Sequence, residues 1–107
     1  MAVVEWTDRR VAQYVVLVKW TEQGVQQVKD TVQRADRSNE LAGKHGVRLE
    51  HLYWTVGPHD IVSIAEAPDE ESITAFLLEL SSAGNVRTTT LRAFNREEMS
   101  GIVERLG

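Results

Sequence analysis

An imidazole beside a carboxylate is the equipment of a general acid or base, and this chain offers one such pair, His59-Asp60. Imidazole titrates near neutrality, and a carboxylate within hydrogen-bond reach raises its pKa and orients its ring. His59 is then the candidate base and Asp60 its orienter. A second reading stands beside this one: Asp60 as a turn carboxylate accepting backbone N–H bonds, and His59 as a solvated loop residue. Adjacent residues leaving a turn into a strand point to opposite faces, so the two need not touch. His51 and Tyr53, two residues apart, share a face if they lie on a strand. Lining a cavity, they would be polar tips in an apolar pocket, with His51 an acid or oxyanion donor and Tyr53 an alternative orienter. At a subunit seam they would instead be a hydrogen-bonded pair.

Arginine holds a carboxylate or phenolate by two parallel hydrogen bonds, which makes Arg34 and Arg92 ligand-binding candidates. Both residues also fit ordinary surface positions. Tyr14 and Thr88 complete the ligand-binding set, with Thr90 on the same face as Thr88. Lys19 reads as a cavity cation or as a snorkelling edge residue. No metal site is expected, because His45, His51 and His59 show neither a helical pair nor a facial-triad spacing. The chain has no cysteine, which excludes disulfides and thiolate chemistry. Nor does it carry a Gly-rich phosphate loop or a nucleophile elbow, and no cofactor is expected.

The elements that must position these groups follow from periodicity. Ala12 to Trp20, AQYVVLVKW, is β-branched and aromatic on both faces: a strand needing cover on both sides. Thr21 reads as an N-cap, and Val25, Val28, Val32 and Ala35, with Leu41 and Ala42 extending the stripe, predict one long helix ending near Gly43–Gly46. Val47 to Val56 and Ile61 to Ala67 read as a hairpin around the turn Gly57-Pro58-His59-Asp60. Asp69 caps a helix whose Ile73, Phe76, Leu77 and Leu80 make an i, i+3, i+4, i+7 stripe. Val86 to Phe94 is the last strand, and Asn95 caps a final helix bearing Met99, Ile102, Val103 and Leu106. Trp54 points away from Tyr53 and is expected in the core.

That order is βαββαβ plus a C-terminal helix, an α+β fold of the ferredoxin-like kind. Right-handed crossovers place both main helices on one face of a four-stranded sheet. The other face is apolar and bare, so two copies are expected to pair through it as a dimeric α+β barrel. Residues 1–11 read as an N-terminal arm and 12–107 as the domain. With 107 residues, 42% hydrophobic and 26% charged, one globular core is expected. A net charge of −4 without a basic stripe argues against nucleic acid. No apolar run suits a membrane span and no signal layout precedes the domain, so the expected location is cytoplasmic.

Several stretches resemble the GYD-domain family: Tyr53-Trp54-Thr55-Val56-Gly57-Pro58-His59-Asp60, the following strand through Asp69, and above all the Gly84-Asn85-Val86-Arg87-Thr88 run. Tyr14 to Leu17 and Thr21-Glu22-Gln23-Gly24 are similar as well. The resemblance implies a relative of dimeric α+β barrels and implies little about activity. Here His59 stands where the family's Gly-Tyr-Asp signature has its tyrosine, and the proline usual before the helix arginine is missing from Thr31-Val32-Gln33-Arg34. A role of the Asp carries over to Asp60; a role of the tyrosine does not. The expected function is binding of a small apolar or aromatic molecule within each subunit of a homodimer, between sheet and helices or at the seam. Any turnover would be cofactor-free proton transfer of the cyclase, isomerase or monooxygenase type. The alternative is a non-catalytic ligand-sensing or stress-associated dimer.

Overall fold

A computed structural model gives the fold and describes residues 11–107. Of the arm expected over residues 1–11, all but Val11 lie outside the described residues. Four strands, β1 (Ala12–Trp20), β2 (Arg48–Trp54), β3 (Ile61–Ala67) and β4 (Val86–Ala93), form one antiparallel sheet in the order β2-β3-β1-β4. The helices are α1 (Glu22–Gln26), α2 (Thr31–Lys44), α3 (Glu70–Ser82) and α4 (Arg96–Glu104), with a 3-10 turn at Val28–Asp30 between the first two. The fold is α+β and ferredoxin-like. Among the described residues no helix is long and apolar enough to cross a membrane.

Alternation along the strands decides what each face carries. On β1, Tyr14, Val16 and Val18 are buried under the helices, while Val15 and Leu17 lie on the opposite face. Register aligns those two with Ile64 and Val62 of β3 and with Leu91 and Thr89 of β4, giving an apolar centre to this second face, which is bare among the described residues. A bulge at Glu50 shifts the β2 register between Leu49 and His51. Leu49 therefore pairs with Ala65 and Leu52 with Ser63 on the helix-covered face, leaving His51 and Tyr53 on the bare one.

The long first helix expected from the valine spacing is interrupted. At Gln27 the backbone leaves helical values, at φ −113 and ψ 25, and α2 starts afresh at Thr31. Gly24 and the β-branched Val25 and Val28 disfavour a continuous helix, and α1 docks instead against the Gly84-Asn85 turn. The consequence splits the expected face: Ala35, Leu41 and Ala42 face inward as expected, and the three valines do not. Val25, Val28 and Val32 are 51%, 40% and 57% exposed, whereas α2 turns Thr31, Arg34, Ala35, Ser38 and Leu41 inward. On α3 the expected stripe holds: Ile73, Phe76 and Leu77 are buried. Trp54, expected in the core, is 44% exposed; its Nε1 donates to Thr31 Oγ1 at 2.9 Å, so the indole braces the start of α2 with one face open.

Candidate functional site

Three segments far apart in sequence meet where β1 ends. Asp60 Oδ2 accepts the Trp20 N–H at 2.8 Å, and the Asp60 N–H donates to Val18 O at 2.8 Å. From the other side, Thr21 N donates to Asn85 O at 3.0 Å and Thr21 Oγ1 donates to Gly84 O at 2.6 Å. Gln23 Nε2 reaches Ala83 O and Asn85 Oδ1 at 3.0 and 2.9 Å. Gly24 is pressed against the same turn: a Cβ there would lie 2.1 Å from Asn85 O. Gly84 has φ +87, a conformation only glycine adopts without strain. Thr21 also caps α1 by accepting the Gly24 N–H. The motif stretches 21–24, 57–60 and 84–85 are thus a clasp around Trp20, and their residue types are those that backbone geometry requires.

Behind that clasp the interior is hollow. Between α2, α3 and the covered face of the sheet lies a cavity of about 280 Å³, open to solvent on one side. Its walls are apolar: Val16, Val18, Leu52, Ile61, Phe76 and Leu80 among others. The cause is on α2, whose inward positions Thr31, Ala35 and Ser38 are too small to fill the space that Phe76 and Leu77 fill from α3. The other half of the domain, around Tyr14, Ala42, Val47, Ala65 and Ile73, is packed solid. Polar groups gather on the α2 side of the cavity. Arg34 lines it, donates to Gln27 Oε1, and presents its own carbonyl to Ser38 Oγ. Arg37 lines it one turn on. Glu79 of α3 also lines it, with its carboxylate 2.7 Å from His45 Nε2. Ser63, buried on β3, uses its hydroxyl proton on His51 O at 2.9 Å. A site of this kind binds an apolar body and orients it through a few polar groups at one end.

Of the residues expected from sequence to form a site, only Arg34 lines this cavity. Asp60 has the backbone-bonding job described, and no side-chain bond joins it to His59, whose carbonyl accepts from Thr55 Oγ1 at 2.7 Å. His51 and Tyr53 stack on the bare face, with ring centroids 6.1 Å apart and planes 7° from parallel. Lys19, at the end of β1, is exposed and reaches Pro58 O at 3.4 Å. Tyr14 is a core residue, 3% exposed, whose hydroxyl finds no partner among the described residues. Burial raises its phenol pKa, with the Glu70 charge adding to the rise and Arg92 opposing it. Arg92 lies over the Tyr14 and Phe94 rings, at 5.6 and 4.4 Å, and bonds Gln13 O. Thr88, half-buried beside Val18, is outside the cavity wall, and Thr90 pairs with Val16 in an exposed position. Sequence reasoning missed the other cavity residues because the signal is a lack of volume, three small residues on the inward face of one helix. Among the described residues, no cluster of three or more His, Cys, Asp or Glu could hold a metal ion.

Comparison with known proteins adds three findings. Residues 14–103 match the pattern of the family described as GYD domain. The Thermus thermophilus "glutamine synthetase and cystathionine beta-lyase binding protein" is 35% identical over 81 residues, covering 75% of this chain and 85% of that protein. Among solved structures, a feast or famine regulatory protein of Mycobacterium tuberculosis, complexed with L-methionine, superposes with a TM-score of 0.63 at 16% identity, covering 85% of this chain and 55% of that one. The leucine response regulatory protein of the same organism gives 0.59 at 18%, covering 78% and 51%. The chain thus spans about half the length of these regulators, and at such identity the likeness is one of fold.

Proposed function

Because the chain belongs to the GYD-domain family, we propose that it is a small-molecule-binding module that works as a homodimer, with an apolar or aromatic ligand in the cavity between α2, α3 and the sheet. The observation that carries this reading is the inward face of α2. A helix meant only to seal a core would turn large apolar side chains onto the sheet along its whole length, as α3 does; the first two turns of α2 set Thr31, Arg34, Ala35 and Ser38 there with Val32 outward, and Leu41 and Ala42 pack on the core at its far end. The named binding partners of the Thermus relative favour a module that also contacts other proteins. Val28, Val32, Trp54 and Val56, exposed where α2 and β2 meet near the cavity, suit such a contact.

Proton-transfer catalysis by His59, Asp60 and His51 is a separate proposal, since none of the three lines the cavity. A substrate for them would lie on the bare face or against the turn. His59→Ala with unchanged turnover of any substrate found would end it.

The binding reading is tested by thermal melts against a panel of apolar and aromatic compounds. A ligand at about 100 times its Kd stabilises by about 2.7 kcal/mol, a shift of several degrees for a domain of this size. Ala35→Phe should fill the hollow and abolish every such shift. If no compound moves the melt while Ala35→Phe raises it, the hollow is a packing defect and the reading is wrong.

A further inference from the structure

We infer that the ligand of this cavity is a small organic acid, an aromatic or branched apolar body carrying one carboxylate, with the carboxylate held by Arg34 and drawn in by Arg37. The inference rests on the reading that the cavity binds a small molecule, and it names what kind.

The charges around the cavity carry it. Overall the chain is acidic, with a net charge of −4, yet two arginines line the cavity. Among the described residues, neither has a carboxylate within salt-bridge range; the pairs that form belong to His45, Arg48 and Arg92. Arg34 is half-buried, and the acceptor on its guanidinium is the neutral amide oxygen of Gln27, from the joint where the first helix breaks. That contact leaves most of its five N–H donors for a ligand. A planar guanidinium beside an apolar wall matches a carboxylate by two parallel bonds, and the match is stronger where water is partly excluded. Arg37, one turn on and exposed, adds attraction without needing contact.

The same groups say what the ligand is not. Glu79, the carboxylate lining the cavity, has its Oε1 on His45 at 2.7 Å, and the other walls are largely apolar, so the ammonium of an amino acid would lose water with only the second Glu79 oxygen to replace it. A polyphosphate is excluded by the apolar walls and by the absence of a Gly-rich loop. A volume of about 280 Å³ lies at the small end of ligand pockets, which suits one ring or one branched chain.

The experiment compares benzoate, 3-phenylpropionate and 4-methylpentanoate with their neutral amides and with L-phenylalanine, by calorimetry and thermal shift, on the full chain. At least one acid should bind, and its amide and L-phenylalanine should each bind at least about tenfold more weakly, the loss expected when a charge-assisted pair is removed. Arg34→Gln should lower affinity for the acid by a similar factor and leave amide binding unchanged. Should Arg34→Gln fold poorly, Arg34→Lys serves, since it keeps the charge and loses the fork and should weaken the acid by a smaller factor. Ser38→Leu, which fills the cavity, should abolish binding of all compounds while the protein remains folded. Equal binding of acid and amide, or an acid affinity unmoved by Arg34→Gln, overturns the acid assignment and leaves the binding reading intact. Binding that survives Ser38→Leu, or no binding by any compound, overturns both.

Discussion

The Asp60 carboxylate takes the Trp20 N–H, and the Asp60 backbone ties the turn to Val18, so the residue that looks most like half of a catalytic pair holds the end of β1. Asp60→Ala leaves a part-buried N–H without its acceptor and should cost about 1–3 kcal/mol, whereas Asp60→Asn keeps an oxygen there and should cost less. Urea melts of the two variants decide it; equal, negligible losses would mean that water replaces the carboxylate freely. Tyr14 gives the opposite expectation. Its buried hydroxyl has no partner among the described residues, so Tyr14→Phe should keep or raise the melting temperature. A clear drop would show that the hydroxyl is bonded after all. At Gly24 an added methyl would run into backbone rather than a movable side chain. Gly24→Ala should therefore cost about 1–3 kcal/mol by overpacking, and more if the clasp opens.

At the scale of elements, the β2–β3 ladder carries a like-charge pair whose effect on stability has a definite sign. Burial first, and the neighbouring Glu50 second, raise the Glu66 pKa above its ordinary 4.5, with Arg48 opposing. A carboxyl that holds its proton more tightly folded than unfolded adds stability that is complete below 4.5 and is lost as pH climbs through the raised folded value. The difference in melting temperature between Glu66→Gln and the parent should therefore widen in favour of the variant from pH 4 to 7, and a constant difference would rule out the effect. Which elements exist was legible in the sequence wherever side-chain type is distinctive: β1 and β3 by runs of β-branched and apolar residues, α3 by its Ile73, Phe76, Leu77 and Leu80 stripe. The first helix was misread because valines at helical spacing look like a core face whether or not the chain stays helical between them. The break at Gln27 goes with α1 seated against Asn85 through Gly24, a contact across some sixty residues that no local pattern carries. Arg34 was legible as a ligand-binding type. The cavity was not, since it is the volume left by Thr31, Ala35 and Ser38 facing strands from the rest of the chain.

For the whole molecule, the unfinished business is the bare sheet face and the last helix. Val15, Leu17, Val62, Ile64 and Leu91 form an apolar patch, rimmed by Arg48 and Glu66 at one end and by Lys19 and Arg87 at the other. Beyond the sheet, α4 packs closely on no other element among the described residues, tied back mainly by Arg92 and Glu98 at 3.8 Å, and it exposes Met99 and Val103, with Leu106 exposed just past its end. The described chain accordingly has a radius of gyration of 15.5 Å, against about 13 Å for a compact domain of about 100 residues. A helix of nine residues is marginal alone in water, so α4 gains from a seat that the described residues do not offer. Four strands about 4.8 Å apart and about eight residues long give a sheet footprint of roughly 500 Å². A stable interface buries about 800 Å² of accessible surface per partner, and the α4 stripe is the apolar surface at hand to extend the contact beyond the sheet. The homodimer reading then makes a paired prediction for sedimentation at micromolar concentration. The parent should run as a dimer, Leu17→Asp with Ile64→Asp as a folded monomer, and Met99→Asp with Val103→Asp as a dimer weakened by about tenfold or more, equivalent to about 1.4 kcal/mol. If the helix variant associates as tightly as the parent, the second copy is not what α4 contacts; if the parent itself is a monomer, the bare face belongs to a different protein.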